Sequence, residues 1–103
     1  MKVRTSRFVR DFASIKGCSI EELRDEFSGV CVEFAGELCE RVPGSKLAYF
    51  DNLNHPAWKY HAAMVFDGWV HDLWYPLLPL DVFMLSIGST KVEYPAEQED
   101  EPT

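Results

Sequence analysis

The sequence predicts an α+β fold, with N-terminal helices packed on a small antiparallel β-sheet, and three observations carry that prediction. Apolar residues recur at helical spacing as far as Val42, fall into short alternating runs beyond Gly44, and are joined at Asp67-Gly68 as two arms of a tight hairpin are joined. The 103 residues suffice for one small core and not for a cofactor domain beside a substrate domain, so residues 1–95 are expected to form a single domain.

Between Thr5 and Lys16, Phe8, Phe12 and Ile15 fall at i, i+4 and i+7, and Gly17 follows as a stop, which predicts a first helix. Ser19 and Glu22 have the spacing of a capping box, and Cys18 can staple against Leu23, so a second helix is expected from Ile20 to Glu26. A third starts near Val30. Its apolar stripe is Cys31, Phe34, Ala35, Leu38, Cys39 and Val42, with Ser28 as the expected N-cap and Pro43-Gly44 as the stop.

The β-like runs are Lys46 to Phe50, Lys59 to Phe66 and Trp69 to Trp74, with a sheet of about three to five strands in view. Pro76 and Pro79 bracket an irregular crossing. Leu80 to Ile87 suits a short helix or a strand equally, and Lys91 to Tyr94 reads as a last short strand. Residues 96–103 are acidic and contain no apolar side chain larger than alanine, so a disordered tail is expected there.

Composition narrows the function classes. Hydrophobic residues make up 47% and aromatics 14%, which argues for an ordered globule. The net charge is −7; residues 1–16 carry Lys2, Arg4, Arg7, Arg10 and Lys16 against Asp11, a local +4, leaving −11 elsewhere. A broad basic face for nucleic acid is therefore not expected. Neither a membrane span nor a secretory leader is legible, and three irregularly spaced cysteines do not form a disulfide framework, so a reducing, cytoplasmic setting is the expectation. Cys18, Cys31, Cys39, His55, His61 and His71 include no Cys-x-x-Cys and no close histidine pair, so neither a metal nor another cofactor is expected.

Chemistry concentrates in two segments, Ser28 to Ala35 and Tyr60 to Asp72. A thiolate is the reactive form of cysteine, and at neutral pH a thiol of pKa about 8.5 needs help to ionise. Cys31 has that help within reach: it lies in the first turn of a helix, where unsatisfied N–H groups and the helix dipole favour negative charge. With Asp67-Gly68 as a two-residue turn, Phe66 faces Trp69 and Val65 faces Val70. Alternation then puts His61, Ala63, Val65, Val70, Asp72 and Trp74 on one face, with His61 and Asp72 as diagonal neighbours. Asp72 can there fix the tautomer of His61 while the other ring nitrogen serves Cys31. Asn52 and Asn54, in the polar loop 51–58, and Trp74 are the candidate substrate contacts.

The segment G-V-C-V-E-F-A from Gly29 to Ala35 resembles the nucleophile segment of papain-like cysteine proteases. H-A-A-M-V-F-D-G-W-V-H-D from His61 to Asp72 resembles the histidine hairpin of that fold and of its transglutaminase-like and cell-wall amidase relatives. The likeness spans about residues 28 to 74. It implies a reduced papain-like core in which Cys31 is the nucleophile, His61 the general base and Asp72 the orienting residue of a hydrolase or acyltransferase acting on an amide, peptide or isopeptide bond, with a peptide or protein as substrate. The likeness departs six residues before the cysteine, where papain-like proteases have a glutamine and this chain has Asp25. Oxyanion stabilisation would then fall to the Cys31 N–H and to Asn52 or Asn54. The competing expectation is a non-catalytic interaction or regulatory protein, of viral or mobile-element type, on the same or an unrelated α+β scaffold.

Overall fold

A computed structural model of the chain describes residues 4–51 and 60–95. The expected disordered tail, most of the polar loop and the candidate contacts Asn52 and Asn54 lie outside the described residues.

Helix α1 (Arg7–Lys16) starts where the Ser6 hydroxyl accepts the N–H groups of Phe8 and Val9, and it ends at Gly17, whose φ of 74° is left-handed. Its buried face is Val9, Phe12 and Ala13. Ile15, expected on that stripe, is 66% exposed, because a residue three positions beyond Phe12 has turned past the contact line that Ala13 completes. Helix α2 (Ile20–Glu26) carries the capping box of Ser19 and Glu22. Gly29, at φ 79°, turns the chain into α3 (Cys31–Arg41). Ser28 does not cap α3; the N-cap is Val30, with no side-chain bond to the first turn.

Strands β1 (Lys46–Asp51), β2 (Tyr60–Phe66), β3 (Trp69–His71), β4 (Leu78–Pro79) and β5 (Val92–Glu93) form one antiparallel sheet in the order β4-β3-β2-β1-β5. Asp67 and Gly68 both take positive φ, 53° and 79°, the requirement of the tight primed turn, and the register is Phe66↔Trp69, Val65↔Val70, Met64↔His71. The strand then stops. Asp72 to Trp74, expected to continue it, leave the sheet because the Asp72 carboxylate gathers the N–H groups of Trp74 and Tyr75, each at 3.0 Å, into a bend. Arg24 of α2 fastens the bend by donating from Nε to the Leu73 carbonyl.

The ambiguous apolar run is helix α4 (Leu80–Ile87), closed by Gly88 in the left-handed conformation. Helices and sheet make two cores. One lies between α1 to α3 and the sheet face of Met64, with Phe12, Leu23, Phe27, Phe34 and Leu38; the other lies between α4 and the opposite face, with Ala48, Phe50, Ala63, Val65, Val70, Phe83 and Ile87. Both faces of the sheet are thus covered, and period-two alternation sends successive strand side chains to one core or the other. Among the described residues no helix is long and apolar enough to cross a membrane.

Candidate active site

Helix α3 delivers Cys31 as its first residue, half-buried. The first intrahelical bonds run from Glu33 and Phe34 to the Val30 carbonyl, so the N–H groups of Cys31 and Val32 precede the ladder and no capping side chain occupies them. This end of the helix favours negative charge.

His61 belongs to β2 and is 1% exposed. It alternates with Ala63 and Val65, so its ring stands on the α4 side, with ring centroids of Tyr75, Phe83 and Trp74 at 5.4, 6.1 and 6.2 Å. This face packs on α4, and α3 covers the other face. The two groups meet because β3 ends at His71. In a hairpin closed by a two-residue turn the Phe66/Trp69 pair exchanges both its hydrogen bonds, so by alternation Ala62 directs its N–H toward the side that β3 has vacated. There the Cys31 sulfur lies beside Ala62 and the His61 ring, the three lining one cleft, near enough for their charges to be felt.

Asp72, also 1% exposed, completes the chain of contacts: its Oδ1 accepts from His61 Nε2 at 2.9 Å. A carboxylate only accepts, so the Nε2 proton is fixed and Nδ1 is the nitrogen left for the thiol. Nδ1 is buried and makes no hydrogen bond of good geometry, so the approach of Cys31 is a loose one that couples charges without yet aligning the proton.

The electrostatics follow from these neighbours. Burial alone would lower the imidazole pKa, but the Asp72 hydrogen bond and the charges of Asp72 and nearby Cys31 outweigh it and raise His61 to about 9. For Cys31, burial pushes upward, and the nearby His61 ring, the Ala62 N–H and the imidazolium charge together pull the thiol below its ordinary value. Cys39, two turns along α3, is driven the other way: burial raises its pKa and Ser45 offsets that only in part. Position separates two thiols of one helix.

A cleft of about 370 Å³ opens at the sulfur, lined by Cys31, Val32, Tyr49, Tyr60, His61, Ala62 and Glu93. Tyr49 is the register partner of both Ala62 and Glu93, so these three form its floor on the α3 face. Trp74, expected to contact substrate, is not among the lining residues; it is half-buried with its ring edge-on to Phe34 and His61, where it walls the imidazole. Tyr49, Tyr60 and Glu93 went unidentified from the sequence because their place depends on β5 pairing with β1; the one local signal was the alternation that sets Tyr49 opposite Ala62 once β1 and β2 pair. Among the described residues no group of three or more His, Cys, Asp and Glu could hold a metal ion.

No family model matches this chain, and no curated protein and no solved structure matches it either.

Proposed function

We propose that the chain is a small cysteine-dependent hydrolase or acyltransferase, on a reduced papain-like scaffold, acting on an amide, peptide or isopeptide bond. The observation that carries this reading is the shared cleft that brings Cys31, at an uncapped helix start, beside an imidazole whose far nitrogen is bound by buried Asp72. Opposite pKa shifts favour a thiolate and an imidazolium together.

In this mechanism His61 Nδ1 takes the thiol proton and Cys31 Sγ attacks the carbonyl carbon. The oxygen of the tetrahedral intermediate gains negative charge near the Cys31 N–H at the start of α3. Nδ1–H then protonates the leaving amine as the carbon–nitrogen bond breaks, which leaves a thioester on Cys31. Water, or an acceptor amine, loses a proton to Nδ1 and attacks the thioester carbon, releasing the acid or the new amide and restoring the thiol. Asp72 stays bound to Nε2 throughout and keeps Nδ1 turned to sulfur.

The test is the rate of iodoacetamide alkylation against pH, resolved for each cysteine by mass spectrometry. Cys31 is expected to react fastest near neutrality, with an apparent pKa below the ordinary thiol value of about 8.5, and Cys31→Ser to remove the fast phase without loss of fold. A Cys31 that titrates like an ordinary thiol, or reacts no faster than Cys39, overturns the reading. An interaction protein is then the better account, and one observation already favours it: Asp25 stands where papain-like proteases carry the oxyanion glutamine, and no side-chain amide is among the described residues lining the cleft.

A further inference from the structure

We infer that the trough at Cys31 receives a peptide or protein segment bearing a cationic side chain, lysine- or arginine-like, beside the bond attacked, and that Glu93 is the residue that selects it. This rests on the proposed nucleophilic role of Cys31 and adds the substrate class.

The cleft at Cys31 shares Tyr49, Tyr60 and Glu93 with an adjoining hollow that reaches Asp51 and Lys91. Together they make a trough across β2, β1 and β5. Glu93 is two strands from Ala62, which lines the cleft beside Cys31, and two strand spacings are about 10 Å. That is the reach of a long side chain on a residue next to the scissile bond.

The charges along this path sum to negative. Glu93 faces Lys91, Nζ to Oε1 at 3.0 Å, with the Lys91 side chain largely in solvent and that of Glu93 partly so, and a solvent-reached pair of that kind yields readily to a competing cation. Asp51 accepts from the Ser89 hydroxyl, the Thr90 N–H and hydroxyl and the Lys91 N–H, which hold it ionised with a pKa of about 2. Two carboxylates thus stand against one ammonium. Tyr49 and Tyr60 border the same path, and aromatic walls suit the alkyl stem of a lysine or arginine and the face contact of its charge. The chain's net charge of −7 steers cations toward it from a distance.

Charged thiol reagents read this field at the sulfur itself. The Cys31 thiolate attacks a methanethiosulfonate at its divalent sulfur, forms a mixed disulfide and expels methanesulfinate. The full chain is therefore treated at low salt with the cationic trimethylammonioethyl and the anionic sulfonatoethyl methanethiosulfonate, and modification of Cys31 is followed by mass spectrometry. The cationic reagent is expected to react faster. Glu93→Gln should slow it about two-fold and speed the anionic one about two-fold, so the ratio falls about four-fold, less at high salt. Lys91→Gln should raise the ratio. Asp81→Asn, an exposed acid at the start of α4 on the other side of the sheet, is the control for net charge.

A Glu93→Gln ratio that moves no more than that of Asp81→Asn overturns the inference, as does a faster anionic reagent. If the ratio obeys Glu93 but the Cys31 pH profile is that of an ordinary thiol, only the catalytic reading falls. A fast, low-pKa thiol with a ratio indifferent to Glu93 removes only the substrate class. A Cys31 that neither reagent reaches removes both.

Discussion

His61 and His71 lie on neighbouring strands, both buried, and their proton affinities are driven in opposite directions. His61 projects toward α4 and binds a carboxylate; His71, the register partner of Met64, projects toward α1 and binds a hydroxyl. The Ser6 hydroxyl already accepts the N–H groups of Phe8 and Val9, so its proton goes to His71 Nδ1 at 2.6 Å, and His71 is held as the neutral tautomer with its proton on Nε2. Burial lowers its pKa and the nearby Arg7 charge lowers it further. Burial also disfavours charge on His61, yet that residue is raised to about 9. Desolvation sets the same sign at both; the partner decides the outcome.

The most damaging way to break this contrast is to remove Asp72. Asp72→Ala leaves the Trp74 and Tyr75 N–H groups and His61 Nε2 without their acceptor in a buried site, and breaking a buried pair from one side costs about 3–5 kcal/mol. Urea denaturation should show that loss. Asp72→Asn keeps an oxygen for the bend but no charge, so His61 should titrate below its ordinary value, as His71 does, and the Cys31 alkylation profile should shift to higher pH. An imidazole resonance of His61 still titrating near its present value in Asp72→Asn would show that the carboxylate is not the cause.

The hairpin was legible because Asp67-Gly68 fits the only short turn whose two positive φ values match strand twist, and that fixed the register and the diagonal approach of His61 to Asp72. What alternation hid was the end of β3: the bend at 72–75 arises from a side chain capturing backbone, which leaves no mark on apolar periodicity. It is this early end that gives Cys31, on one side of the sheet, access to His61 on the other. The helix start at Cys31 was legible from Gly29 and the stripe that follows, although Ser28 was not its cap. The wall of Tyr75 and Phe83 around His61 was not, since a mostly apolar run of eight residues satisfies helix and strand patterns alike. Nor was the trough, which needs a pairing across more than forty residues between β1 and β5.

A pH series sharpens the comparison without mutation. His61 is raised from 6.5 to about 9 in the fold, so its contribution is complete below 6.5 and fades as pH rises through about 9. The shift corresponds to roughly 3 kcal/mol, and part of it is the same Cys31 coupling that lowers the thiol. The Cys31 share runs the other way: it is present above the ordinary thiol pKa and lost as pH falls through the folded value. His71 is lowered, so its neutral form favours the fold above 6.5 and that contribution is lost as pH falls through its depressed value. Unfolding free energy measured from about pH 5 to about pH 10 should therefore weaken at both ends. Asp72→Asn should flatten the alkaline limb and His71→Gln the acid one; a single variant that removed both limbs would mean that the two histidines are not independent.

The smallest effect belongs to Ser6. Ser6→Ala removes the acceptor for two N–H groups at the start of α1 and the donor to His71, a loss of about 1–2 kcal/mol. Because the hydroxyl donates to neutral His71, its removal takes away a bond that opposes protonation, and the His71 pKa should rise toward its ordinary value. The acid limb would then become shallower while the alkaline limb keeps its shape. Cys31 alkylation should not change, since Ser6 and His71 lie on the α1 side of the sheet, where the His71 ring packs on Phe8 and Phe66, whereas the His61 ring packs on Trp74, Tyr75 and Phe83. A Ser6→Ala protein in which Cys31 slowed by as much as in Asp72→Asn would mean that the two polar centres communicate through β3, and that the sheet does not insulate one histidine from the other.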